Sequence, residues 1–129
     1  MKAAPDTPQN PWYSGIVMRG DQYGRTLGFP TVNLPAAPLK HIEKEGVYAC
    51  EVRLGSARYR GALYLGPRIV LGETKRVLEI HLLDFDQEIY GETISFQLGA
   101  FIRPPLNFDS LEELKTQFAV DIRDVRSKH

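Results

Sequence analysis

Alternating apolar and polar positions dominate the chain and predict a series of short β-strands. The predicted strands span residues 13–18, 29–34, 47–54, 57–65, 77–85 and 93–102. In the last strand, where the alternation is cleanest, five apolar residues are expected to share one face: Ile94, Phe96, Leu98, Ala100 and Ile102. Because no helix is predicted between these strands, the order favours an antiparallel barrel or sandwich. Closure into a barrel would leave no strand edge exposed.

One helix is predicted, near the C-terminal end of the sequence. Ser110 and Glu113 form a capping box, the pattern that commonly begins a helix. Apolar residues then recur at steps of three and four: Leu111, Leu114, Phe118, Ile122 and Val125. We expect this stripe to pack against the barrel.

Length and composition indicate one globular domain without a strong charge bias. The 129 residues fit a domain over 12–129, preceded by a disordered lead-in over 1–11 that has no apolar signal segment. Sixteen basic residues balance sixteen acidic ones, so net charge does not predict binding to nucleic acid or to an anionic membrane. No apolar run approaches the roughly 18 residues of a membrane span. The single cysteine, Cys50, excludes an internal disulfide and fits the reducing cytoplasm.

A glycine-bearing loop at 20–28 and the extended segment after it contain the first candidate chemistry. Glycines let backbone amides approach an anion, and Arg25 can donate paired hydrogen bonds to phosphate oxygens. Thr31 and Asn33 lie two positions apart, so they point to the same side of an extended chain. Their neutral oxygens are ligands that Mg²⁺ can combine with water and substrate phosphate. An ordinary loop and a polar strand surface would explain the same residues, so both interpretations stay open.

The second candidate lies in the strand predicted at 77–85. Leu78, Ile80 and Leu82 form one face, which places Glu79 and His81 on the other. A carboxylate that is partly removed from water could act as a general base. A solvated outer face of the barrel is the alternative. The spacing of the three histidines does not match a zinc site.

Several motifs, taken in order, resemble the riboflavin kinase family, whose members occur alone or as the second half of bifunctional flavin synthetases. The motifs are Gly20 with Gly24-Arg25 and 27–34, Gly46-Val47-Tyr48-Ala49, 79–85, Ile89-Tyr90-Gly91, and Arg103 with 107–111. The combination of Phe-Pro-Thr-x-Asn with Glu-x-His-Leu-Leu-Asp-Phe is specific to that family. The chain departs from the family pattern at Tyr64-Leu65-Gly66, at Pro67-Arg68-Ile69-Val70 and at Pro104-Pro105.

The resemblance implies a six-stranded antiparallel Greek-key β-barrel with the C-terminal helix beside it. The implied activity is Mg²⁺- and ATP-dependent phosphorylation of the riboflavin 5′-hydroxyl, which gives FMN and ADP. Glu79 would be the catalytic base, and Thr31 and Asn33 would hold the magnesium. The residues implied on the ATP side are Gly20, Gly24, Arg25, Gly28, Pro30, Thr31, Asn33, Leu82, Asp84 and Tyr90. Those implied on the flavin side are Arg103 and Phe108.

The implied partners are the small molecules riboflavin and ATP, in the cytoplasm. Whether an FAD synthetase domain lies upstream in the native chain stays open. Two other functions are alternatives. A non-catalytic flavin- or nucleotide-binding module would not need Glu79 together with Thr31 and Asn33. A barrel that binds single-stranded nucleic acid would use stacking aromatics and a basic groove, which the neutral net charge disfavours.

Overall fold

The six predicted strands and the predicted helix are all present in the computed structural model, which describes residues 10–19 and 28–128. The strands are β1 Trp12–Ile16, β2 Val32–Leu34, β3 Gly46–Leu54, β4 Ala57–Pro67, β5 Arg76–Leu82 and β6 Thr93–Arg103; the helix is α1 Leu111–Ser127. Short 3₁₀ turns lie at Ala37–Leu39 and Ile69–Leu71. The strand predicted over 77–85 ends earlier, at Leu82, because Leu83 and Asp84 form a turn in which Asp84 has a φ of 59°.

All six strands belong to one antiparallel sheet in the order β1-β6-β3-β4-β5-β2. Strands β3, β4 and β5 follow one another, and β6 returns to lie beside β3, which is the Greek-key order. The sheet curls until its two edges approach each other. There Met18 forms a bridge with Asn33, and the Met18 amide donates to the Asn33 carbonyl at 2.8 Å. The predicted Greek-key barrel is confirmed, with this bridge as its seam.

The core lies inside the curled sheet and is formed mainly by the predicted apolar faces of β3, β4 and β5 and by Ile94, Phe96 and Leu98 of β6. The sequence pattern predicted that Ala100 and Ile102 share the face of Ile94, Phe96 and Leu98. This prediction is wrong, because Ala100 is exposed and Ile102 packs outside the barrel, under the helix. Cys50 pairs with Leu98, but Tyr48 pairs with Phe101, so β6 contains an extra residue. This bulge turns Phe101 inward, where its ring lies 5.1 Å from the ring of Tyr48.

Helix α1 packs on the outside of the sheet. At its start the Ser110 hydroxyl accepts a hydrogen bond from the Glu113 amide at 3.2 Å, as the capping box predicts. Val125 is fully buried against Ala49 and Leu83. Leu111, the first residue of the predicted stripe, is 46% exposed and does not join this contact. No helix in the described part of the chain is long and apolar enough to cross a membrane.

Candidate active site

Two cavities lie side by side in the described structure and share one lining residue, Thr31. The first cavity separates the sheet from α1. Its walls are largely apolar and include Phe29, Phe108 and Phe118. The second cavity lies between residues 30–32 and 82–90. Because Thr31 borders both cavities, molecules bound in them would meet at this residue.

Glu79 lies on the outward face of β5 and lines the first cavity. Its side chain is only 13% exposed, so the prediction of a partly desolvated carboxylate is favoured over that of a solvated outer face. The register of β2 against β5 sets Asn33 directly opposite Glu79. The Thr31 hydroxyl donates to Glu79 Oε1 at 3.4 Å, which is a long hydrogen bond.

Arg68 holds the other oxygen of this carboxylate. Its Nε and one terminal nitrogen lie 2.7 Å and 2.6 Å from Glu79 Oε2, and the same terminal nitrogen donates to Asn33 Oδ1 at 3.2 Å. The Arg68 side chain is 17% exposed, so these interactions are largely shielded from water. Four side chains, Thr31, Asn33, Arg68 and Glu79, therefore form one connected polar cluster.

His81 fixes the segment that carries Thr31. Its Nδ1 lies 2.7 Å from the Pro30 carbonyl, which can only accept, so Nδ1 carries the proton. The rings of His81 and Phe29 meet edge to face, with their centroids 5.9 Å apart. Burial lowers the pKa of His81, although the hydrogen bond to Pro30 opposes this shift. A neutral His81 therefore anchors the turn into β2.

Arg103 and Asp121 form the buried ion pair of the first cavity. Two Arg103 nitrogens donate to the two Asp121 oxygens, each at 2.8 Å, and the Gln117 amide donates to the same carboxylate at 3.0 Å. Asp121 is 2% exposed although it lies on α1. The pair joins the end of β6 to the helix and so fixes the width of the cavity.

Tyr64 faces the first cavity from β4 and lies directly opposite Glu79 in the sheet. Its hydroxyl donates to the Pro67 carbonyl. Burial, together with the nearby Glu45 carboxylate, raises the pKa of Tyr64 to about 12. The hydroxyl therefore stays protonated and holds the chain just before Arg68.

Other predicted site residues occupy different parts of the structure. Pro30, Leu82 and Tyr90 line the second cavity with Thr31, and the Arg19 guanidinium lies 4.4 Å from the centre of the Tyr90 ring. Asp84 lines neither cavity; its side chain is 76% exposed and pairs with Arg126 at 3.0 Å. Gly28 is exposed with a φ of 88°. Gly20, Gly24 and Arg25 lie outside the described residues.

Two members of the polar cluster offer oxygens of the kind that Mg²⁺ binds. Thr31 and Asn33 offer neutral oxygens, and no group of three or more His, Cys, Asp or Glu side chains within residues 10–19 and 28–128 could hold a metal by itself. Mg²⁺ often takes one or two protein oxygens and completes its shell with water and phosphate. Thr31 and Asn33 therefore fit a metal that arrives with a nucleotide.

Comparison with known proteins identifies a family and relatives for this chain. The family model described as riboflavin kinase matches residues 7–129. The bifunctional riboflavin kinase/FMN adenylyltransferase of Escherichia coli (strain K12) is 42% identical over 113 residues, which cover 84% of this chain. The chain spans 34% of the length of that relative.

Two crystal structures have a similar fold. One is riboflavin kinase from Trypanosoma brucei, with a TM-score of 0.64 and 22% identity, covering 94% of this chain and 80% of that chain. The other is named Macrolide-efflux Protein, from Streptococcus pneumoniae, with a TM-score of 0.75 and 29% identity, covering 91% of this chain and 38% of that chain. Because the family model matches almost the whole sequence, the chain belongs to the riboflavin kinase family.

Proposed function

We propose that this chain transfers the γ-phosphoryl group of ATP to the 5′-hydroxyl of riboflavin, giving FMN and ADP, in the cytoplasm. The observation that carries the proposal is the shared border of the two cavities. Thr31 lines both, and its hydroxyl contacts Glu79, which lines the first. A phosphoryl donor in one cavity and an alcohol in the other would react at this border.

The first cavity suits the flavin. Phe29, Phe108 and Phe118 offer apolar and aromatic surface to a planar ring, and Arg103 offers a hydrogen-bonding edge. The ribityl chain would extend towards Thr31 and Glu79. The nucleotide would occupy the second cavity, between Pro30, Leu82 and Tyr90. Gly20, Gly24, Arg25, Gly28 and Asp84 remain proposed contacts on the nucleotide side.

Glu79 would act as the general base. As the riboflavin oxygen forms its bond to the γ-phosphorus, the bond from that phosphorus to the bridging oxygen of ADP breaks, and the hydroxyl proton passes to Glu79. Oε1 is the available oxygen, because Oε2 is held by Arg68 and the Thr31 contact to Oε1 is long. Thr31 and Asn33 would hold Mg²⁺, which neutralises charge on the phosphate oxygens when bound.

The test is synthesis of FMN from riboflavin and ATP, followed by chromatography, with and without Mg²⁺. We expect FMN from the wild-type chain only with a divalent metal. Glu79→Gln should lower kcat by about 10²- to 10⁴-fold, the usual contribution of a positioned general base. The matched control is Glu51→Gln, which removes a carboxylate from the exposed Glu51–Arg58 pair. Glu51 lines neither cavity.

Two outcomes would contradict the proposal. If Glu79→Gln turned over at the wild-type rate, Glu79 would not be the base. If the wild-type chain bound riboflavin without making FMN under any divalent metal, the non-catalytic binding module would be the better description.

A further inference from the structure

Arg68 occupies the centre of the polar cluster, although the sequence places it where the chain departs from the family pattern. It follows Pro67 at the end of β4 and precedes the 3₁₀ turn Ile69–Leu71. Glu79 lies eleven positions further along the chain, and the connection from β4 to β5 folds the chain back so that the Arg68 side chain reaches Glu79. A further interaction joins Arg68 to Glu73 at 3.6 Å, so the guanidinium is held from several sides.

The two main contacts of Arg68 differ in strength. Its bonds to Glu79 Oε2 are 2.6 Å and 2.7 Å, as expected for a charge-assisted pair. Its bond to Asn33 Oδ1 is 3.2 Å and reaches a neutral amide oxygen. The Asn33 contact is therefore the one that a competitor would displace.

A divalent cation is such a competitor. Mg²⁺ binds oxygen at about 2.1 Å, so a cation on Asn33 Oδ1 would lie within a few ångströms of the guanidinium. Like charges at that separation repel each other even in water, and more strongly in a site shielded from water. The same oxygen cannot serve both cations equally well.

We propose that Arg68 is a positioning residue that orients Glu79 throughout and yields Asn33 Oδ1 to the cation that accompanies the nucleotide. The inference rests on the proposed function for the role of Glu79. The second part of the inference, the competition between Arg68 and the cation for Asn33 Oδ1, concerns metal binding alone. Removal of Arg68 should therefore have opposite effects on two quantities: metal binds more tightly, and turnover becomes slower.

The experiment compares Arg68→Gln with the wild-type chain by two measurements. Mn²⁺ affinity is measured by electron paramagnetic resonance of free Mn²⁺, in the presence of a non-hydrolysable ATP analogue and without riboflavin. The values of kcat and KM for riboflavin come from FMN formation. We expect Mn²⁺ affinity to rise about tenfold, since a unit charge beside a divalent cation is removed. We expect kcat to fall about 10- to 100-fold, with KM for riboflavin little changed.

Two further variants separate charge, geometry and stability. Arg68→Lys keeps the charge but loses the planar fork, so Mn²⁺ affinity should stay near the wild-type value while kcat remains low. Arg76→Gln is the matched control, because it breaks a half-buried arginine–glutamate pair, with Glu45, that lines neither cavity. Both measurements should be unchanged in Arg76→Gln, and thermal unfolding should report the stability lost in each variant.

Each outcome of these measurements tests one part of the inference. A rise in Mn²⁺ affinity with a fall in kcat supports the inference, because a general loss of structure would lower both the Mn²⁺ affinity and kcat. Unchanged or weaker Mn²⁺ binding in Arg68→Gln overturns the competition at Asn33. Wild-type kcat in Arg68→Gln overturns the positioning of Glu79. If the wild-type chain makes no FMN, the proposed function fails, and the Mn²⁺ measurement still decides whether Arg68 competes for Asn33.

Discussion

Truncation of Asp121 to alanine tests how strongly the ion pair of the first cavity holds the helix to the sheet. Asp121 is 2% exposed and accepts two hydrogen bonds from Arg103 and one from Gln117. Its removal leaves a guanidinium that is only 14% exposed without its carboxylate. Breaking a buried ion pair from one side costs about 3–5 kcal/mol.

The lower end of that range is expected here, because Arg103 also donates to the Pro104 carbonyl at 3.0 Å and retains that partner. A loss of about 3 kcal/mol would be a large share of the roughly 5–15 kcal/mol that stabilises a typical domain. The assay is equilibrium unfolding in urea followed by circular dichroism. With a slope of about 1–3 kcal/mol per molar, the midpoint should fall by about 1–3 M.

The matched control for Asp121→Ala is Asp124→Ala on the same helix. Asp124 is 40% exposed and lies 3.7 Å from Arg123, so its truncation should cost less than about 0.5 kcal/mol. The variant Arg103→Ala and the double variant complete a thermodynamic cycle. If Asp121→Ala lost no more stability than Asp124→Ala, or if the Asp121 and Arg103 losses simply added, the reasoning would be refuted.

Two further predictions concern a titrating side chain and a close backbone contact. The pKa of His81 is lowered, mainly by burial, from an ordinary value of 6.5, so the unfolded chain takes up a proton at higher pH than the folded one. The stability linked to neutral His81 is complete above pH 6.5 and is lost as the pH falls towards the lowered pKa. His81→Asn should therefore flatten the dependence of unfolding free energy on pH between pH 7 and 5, and an unchanged slope would contradict this. Gly46→Ala should cost about 2–5 kcal/mol in urea unfolding, because Gly46 has a φ of 143° and a Cβ there would lie 2.1 Å from the Arg103 carbonyl oxygen. Gly55→Ala, at a φ of 59° with nothing within 4 Å of the added Cβ, should cost about 1–2 kcal/mol; equal losses would show that the close contact is not responsible.

The strands could be predicted because most of them bury one face. Val52, Leu63 and Ile80 are each fully buried where alternation placed them. The same rule failed at Ala100, because the bulge there depends on the partner strand: β6 needs an extra residue to follow β3 past Tyr48. Register shifts of this kind arise from the pairing of segments that are distant in sequence. The alternation within one strand carries no information about that pairing.

The candidate site could be predicted only in part for the same reason. Alternation placed Glu79 on the outward face of its strand, but the covering of that face by α1 is a property of the folded chain. The proximity of Asn33 to Glu79 follows from the register of β2 with β5. Arg68 and Asp121 carried no signal in the sequence beyond being charged residues, and both became visible only when strand pairing and helix packing brought their partners within reach.

The seam at Met18 and Asn33 has a consequence for how the protein is made. Strands β3, β4 and β5 are neighbours both in sequence and in the sheet, so their pairing closes only short loops. Strand β1 pairs with β6 from the opposite end of the chain, and the seam completes the barrel beside Asn33. During synthesis, Glu79 would gain its β4 neighbour Tyr64 while β6 was still inside the ribosome. The seam at Asn33 would close last, because β1 pairs with β6, so a nascent chain should complete the candidate site only after residues 93–127 have emerged.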